Sequence, residues 1–160
     1  MRKFSKLVPQ IWLARRMRNL ALESHHFYVY LLTSPYQTSG GCCQLPDAHA
    51  IAESRLNEKQ LSLARTVLIE DRFVIYDPKT EEYFIIDWFK DNPPMGEKHR
   101  LGVIMQIDKI VSKRVRGAAL SELERLCPVK LKDESEVLPF KSGIHNTAIV
   151  RNAGSLKRSQ

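Results

Sequence analysis

The sequence is poor in the groups that build metal centres and covalent active sites. Cysteine occurs three times, at Cys42, Cys43 and Cys127. Neighbours in sequence rarely bridge, and an odd count suits no secreted disulfide framework. Reduced thiols in a cytosolic protein are the expectation. No His or Cys pair has zinc-ligand spacing. His25, His26, His49, His99 and His145 are scattered, and adjacent positions on a helix point about 100° apart. Asp87 and Asp91 are spaced like metal carboxylates, but no third ligand accompanies them. No GxxxxGK[ST] phosphate loop occurs. Gly40-Gly41 lacks the following Lys and Ser/Thr and reads as turn chemistry. There is no nucleophile elbow. These absences argue against an enzyme, so no catalytic residue, cofactor or metal is expected.

Long hydrophobic runs are also missing. A bilayer span needs about 20 apolar residues, and Arg15, Arg16 and Arg18 interrupt the N-terminal stretch where a signal sequence would lie. A cytoplasmic protein with no membrane contact is expected. Positive charge, by contrast, is in excess. The 160 residues carry a formal net charge of +7, with a pI near 9.5 and 43% hydrophobic residues. That is enough apolar material for one core. The charge favours polyanionic partners, because each Lys or Arg on a phosphate releases condensed counterions.

The pattern along the chain divides it into four parts. Residues 1–18 form a basic arm with no acidic residue. Pro9 interrupts any single helix there. The arm either contacts phosphate or closes the core through Ile11 and Trp12. Residues 19–96 hold the main domain. A helix is expected over 19–32, stopped at Thr33-Ser34-Pro35. A short strand follows at Cys42–Leu45, then a short helix over 47–54 that starts after Pro46. That helix is expected to turn Ala48, Ile51 and Ala52 to one face, with Leu56 beneath the next turn. Asn57 and Gln60 have the spacing of a capping box, opening a helix to about Asp71. Leu61, Ala64 and Leu68 mark its inner stripe, widened by Leu63 and Val67. Phe73–Tyr76 and Glu82–Ile86 read as a hairpin around Asp77-Pro78-Lys79-Thr80-Glu81. Residues 97–127 form a C-terminal helical extension that Gly117 is expected to divide. Residues 128–160 are polar and expected to be a flexible tail.

Helix, strand, helix, turn, helix and hairpin in that order predict an α+β, mainly α fold. It is a winged helix-turn-helix with an additional C-terminal helix and a mobile tail. In such a fold the third helix presents its outer face to the major groove and the hairpin reaches the backbone. The helical wheel puts Lys59, Ser62 and Thr66 outward, with Arg65 flanking them. Arg pairs with guanine, and Ser and Thr meet bases or phosphate. Lys79 at the hairpin tip and Arg72 at the helix–strand junction are phosphate candidates, as are Arg15 and Arg16 of the arm. Glu81 and Glu82 are expected to oppose this Lys79 contact, because their carboxylates repel phosphate. Lys109, Lys113 and Arg116 would share a helix face, either a phosphate patch or a solvated surface.

The stretch from about His25 to Ile104 also resembles a known family. The residues concerned are Tyr28-Val29-Tyr30-Leu31-Leu32-Thr33-Ser34-Pro35, Gly40-Gly41, Leu45-Pro46 and Ile51-Ala52-Glu53. Val74-Ile75-Tyr76-Asp77-Pro78, Ile85-Ile86-Asp87-Trp88-Phe89 and Asn92-Pro93-Pro94-Met95-Gly96 continue the series. In this order they are similar to the N-terminal winged-helix domain of phage and prophage replication-initiation proteins. These are replisome organisers of the DnaD-like and replication-protein-O-like groups. The resemblance implies binding to double-stranded origin DNA and recruitment of a replicative helicase or its loader. Members often carry a second, C-terminal domain, for which the chain after about residue 127 is too short and polar. Two other readings share the pattern. One is a dimeric transcriptional regulator, with residues 97–126 supplying the homo-dimer helix. The other is a protein-interaction adaptor of the replisome.

Overall fold

A computed structural model describes residues 5–128. Residues 129–160, which hold nearly all of the expected flexible tail, lie outside the described residues, as do the first four. The fold is mainly helical, with one small antiparallel sheet.

The chain enters through a 3-10 turn at Pro9–Trp12, favoured by proline in the first turn, and a one-turn helix α1, Arg15–Arg18. Met17 is the buried anchor of this segment, whereas Trp12 is 55% exposed. The expected packing through Trp12 therefore does not occur; Ile11 alone of that pair is partly covered. Helix α2 spans Leu22–Thr33 and stops where predicted, because Ser34 takes the extended ψ of 144° that a following proline demands.

Strand β1 is Cys42–Gln44 and helix α3 is Asp47–Ser54. In α3 the buried side chains are Ala50 and Ser54, and Ile51 is half-buried; Ala48 and Ala52 face solvent. The buried face thus lies one position off the expected one, because alanines fit either face of a short helix. Helix α4, Glu58–Glu70, opens with a complete capping box: Asn57 Oδ1 accepts from the Gln60 N–H at 2.9 Å, and Gln60 Oε1 accepts from the Asn57 N–H at 3.0 Å. Leu61, Ala64 and Leu68 are buried as expected, each large aliphatic contributing about 1.5–3 kcal/mol. Leu63 is not on that stripe and is 66% exposed.

Strands β2, Val74–Asp77, and β3, Glu82–Ile85, form the hairpin, and β1 pairs on the other side of β3, giving the order β1-β3-β2. The pleat sends alternate β3 side chains to opposite faces. Tyr83 lies edge-on to Phe27 of α2, with ring centroids 6.1 Å apart. Glu82, on the opposite face, reaches the backbone just before α7, which spans Lys113–Leu126. All four β3 residues are consequently buried. Between hairpin and α7 lie a short α5, Trp88–Asp91, and α6, Glu97–Ile107.

The C-terminal extension divides before α7, not at Gly117. Ser112 Oγ accepts from the Val115 N–H at 3.3 Å and caps α7. Gly117 sits inside α7 on its exposed side, where no packing constraint acts. Val115, Ala119 and Leu123 form the buried stripe that packs on the sheet. Gly41 shows why a glycine stands before β1: its φ is +72°, and a Cβ there would lie 2.5 Å from Trp88 Cγ.

Candidate functional site

The free face of α4 is a row of exposed, mostly polar residues along one side of a capped helix. Lys59, Ser62, Leu63, Thr66 and Glu70 are all exposed on it, following the spacing of one helical face. The opposite stripe holds the helix on α2, so this face is left for solvent or a partner. Thr66 Oγ1 donates to the Ser62 carbonyl at 3.0 Å, leaving its oxygen as an acceptor. Leu63, expected on the inner stripe, instead puts an apolar side chain in the middle of these hydrogen-bonding groups.

Arg65 does not join them. Its side chain is only 14% exposed and forms an ion pair through Nη2 with Asp47 Oδ1. Nη1 donates to Tyr76 Oη at 3.3 Å, and the guanidinium lies over the Tyr76 ring, 4.5 Å from its centroid. Arg65 thus ties α4 to the start of α3 and the end of β2. A residue flanking the inner stripe meets whatever packs beside that stripe. Here it is a carboxylate and an aromatic face, which suit a planar cation.

Arg16 is likewise engaged. Its Nη2 donates to the Asp71 and Arg72 carbonyls, at 3.1 and 2.8 Å. Nη1 lies 3.7 Å from Asp87 Oδ2, and the guanidinium lies over the Phe73 ring at 4.0 Å. This cation answers the unpaired carbonyls at the end of α4. Arg72 itself is exposed in a left-handed turn with φ of +56°. Arg15 and Arg18 are exposed on α1. Arg72 follows the C-terminal end of α4 directly, and Arg15 and Arg18 flank Arg16 in sequence on α1.

Lys79 is exposed at the hairpin tip. Its N–H donates to Asp77 Oδ1 at 3.0 Å, a local bond that shapes the turn. The tip and Arg72 lie beyond opposite ends of β2, a strand about 10 Å long at strand rise, so they are not one cluster. Glu81 and Glu82 are each engaged by backbone donors away from the tip. Glu81 Oε1 accepts from the Asp47 N–H at 3.1 Å, at the start of α3. Glu82 is 2% exposed and accepts from the N–H groups of Val111 and Ser112 at 3.0 and 2.7 Å. Asp77 Oδ2 accepts from Ser112 Oγ at 2.6 Å, which with the Lys79 N–H holds its carboxyl below the usual range. Acids near the hairpin are thus turned onto helix starts, where the dipole favours them.

A further inward carboxylate is Glu122 of α7, which accepts from the Asp87 and Phe89 N–H groups at 2.8 and 3.2 Å. Burial raises its pKa, against those two bonds. Nothing in its sequence surroundings marks it. Lys109 lies in the turn before α7, and Arg116 Nη1 donates to the Ile110 carbonyl at 3.3 Å. The basic face expected from Lys109, Lys113 and Arg116 is therefore divided.

Burial pushes the Cys43 thiol up to about 12 and the Cys42 thiol higher still, which leaves neither as a thiolate near neutral pH. Among the described residues no group of three His, Cys, Asp or Glu side chains is arranged to hold a metal ion. Asp87 instead meets Lys90 at 2.8 Å and Arg16. Among the described residues no helix is long and apolar enough to cross a membrane. No family model, curated protein or solved structure matches the chain.

Proposed function

We propose that this protein binds double-stranded DNA through a winged helix, with α4 as the helix that enters the major groove and the β2–β3 hairpin as the wing. The observation that carries this reading is the α4 face itself. A capped helix, fixed on one side by Leu61, Ala64 and Leu68, presents Lys59, Ser62, Leu63 and Thr66 outward. A major groove about 12 Å wide admits one such helix. The order of α2, β1, α3, α4 and hairpin, with β3 between β1 and β2, supports the winged-helix assignment. Inward turning of Glu81 and Glu82 supports Lys79 as a phosphate contact.

Lys59, Ser62 and Thr66 are the base-edge or groove contacts in this reading, with Lys79, Arg72 and Arg15 on phosphate. Arg65 and Arg16 act as positioning residues that hold α4. On the motif resemblance we further place the protein in phage or prophage replication initiation, acting on origin DNA with a replicative helicase or its loader as partner.

Fluorescence anisotropy with random-sequence duplex across a salt series tests the DNA reading. Log affinity should fall linearly with log salt, with a slope of about −0.9 for each neutralised phosphate. Absence of duplex binding at low salt would exclude it.

A further inference from the structure

We propose that the N-terminal segment carries a second nucleic-acid site, separate from α4, that takes an unpaired base of a single strand. The site is an open groove of about 340 Å³ lined by Trp12, Met17, Arg18, Leu20, Leu22 and His25. Its size is at the small end of ligand-binding concavities. Trp12 and His25 form its ring pair, with centroids 4.9 Å apart and planes inclined by 34°.

Three large apolar side chains remain exposed in this short stretch: Trp12 at 55%, Leu13 at 72% and Leu22 at 78%. The segment is anchored by buried Met17 and by the Arg16 bonds to the end of α4. The exposure of Trp12 is therefore a property of a docked segment. Trp12 and Leu22 both line the groove, and exposed apolar groups gathered in one place mark an interaction surface.

The surrounding charge selects the partner. No Asp or Glu occurs before Glu23, while Arg15 and Arg18 stand exposed on α1. Arg16 is occupied by carbonyls, so Arg18, which lines the groove, supplies its cation. Glu23, half-buried in the first turn of α2, is the first acid along the chain. Exposed aromatic rings beside cations form the stacking platform and phosphate rail of single-strand binders. A duplex hides its base faces in the stack, so an indole at this position meets a base plane only when the strand is unpaired. Arg18, which lines the groove, would then hold a phosphate beside the stacked base.

Trp12 reports on its own occupancy. The chain has two tryptophans, and Trp88 is buried with Nε1 donating to the Ser39 carbonyl at 3.0 Å. The test is a titration of the full chain with a short oligothymidylate at low salt, read by tryptophan emission. Saturable quenching is expected, with a duplex of equal length quenching little. W12F should abolish the tryptophan response, and W12A should weaken oligothymidylate binding, read by anisotropy, about tenfold. R18A should flatten its salt dependence, by about 0.7 in slope for the phosphate no longer neutralised. Duplex binding through α4 is read separately by anisotropy, so its failure would leave this result standing. No quenching by the single strand would overturn the proposal. So would unchanged affinity in W12A, or a tryptophan response that survives W12F.

Discussion

Glu82 Oε2 accepts a 2.7 Å hydrogen bond from the Ser112 N–H, joining the middle strand of the sheet to the start of α7. The second oxygen takes the Val111 N–H at 3.0 Å. Both donors belong to a helix start that has no intrahelical acceptor. A carboxylate is the best available partner there, by charge and by its two oxygens. Removing it strands two N–H groups, one of them in a buried residue. E82A should therefore lose about 2–4 kcal/mol of stability, measured by urea unfolding, while E82Q, which keeps one acceptor, should lose less. Equal stability of E82A and wild type would show that water replaces the carboxylate without cost.

Arg65 and Lys59 should separate stability from binding. Arg65 leaves Asp47 and two tyrosine rings behind when truncated. R65A should lower stability by about 2 kcal/mol, less than the loss on breaking a fully buried pair, because Asp47 keeps 45% of its side-chain exposure. Lys59 is exposed on α4, so K59A should stay within about 0.5 kcal/mol of wild-type stability. On duplex DNA K59A should cost about 1–3 kcal/mol if Lys59 reaches base edges. The pair of measurements is thermal unfolding and duplex anisotropy. A stable R65A with weakened DNA affinity would return Arg65 to the DNA-facing surface.

Which parts of this arrangement are legible in the sequence follows from how local their causes are. The stop at Pro35, the Asn57–Gln60 box and the hairpin turn depend on residues a few positions apart, and the sequence alone carries them. The inner stripe of α4 is legible too, since Leu61, Ala64 and Leu68 repeat at helical spacing. Arg65 and Arg16 are not, because their partners come from distant segments. Arg65 meets Asp47 and Tyr76, and Arg16 meets the end of α4. A basic residue looks the same in sequence whether it faces solvent or a carboxylate. The expected break at Gly117 fails for a related reason: a capping serine and an apolar stripe outweigh the modest helix penalty of one exposed glycine.

Asp77 should give the protein an acid-sensitive contact at the hairpin. The Ser112 hydroxyl and the Lys79 N–H hold its carboxyl below its ordinary value. Its folded pKa lies under the unfolded one, so the unfolded chain takes up this proton first as pH falls. The contribution is fully present above about pH 4 and disappears as pH falls through the lowered folded pKa. Urea midpoints collected from neutral to strongly acidic pH should thus fall less steeply in D77N than in wild type at the acid end. Parallel curves for the two proteins would remove Asp77 from the acid response.

Leu63 should act as a reader of thymine if α4 lies in the major groove. It is 66% exposed between Lys59, Ser62 and Thr66, so its role is not in the core. The major groove offers one apolar group for such a side chain, the thymine 5-methyl. Uracil lacks only that methyl. An alternating dA-dT copolymer should accordingly bind more tightly than its dA-dU counterpart, by about fourfold if one methyl is buried at roughly 0.8 kcal/mol. L63A should erase this difference while leaving thermal stability nearly unchanged, because the side chain supports no packing. Retention of the full thymine preference in L63A would place the methyl contact elsewhere on the protein. Loss of binding to both copolymers would instead mean that Leu63 supports the whole interface.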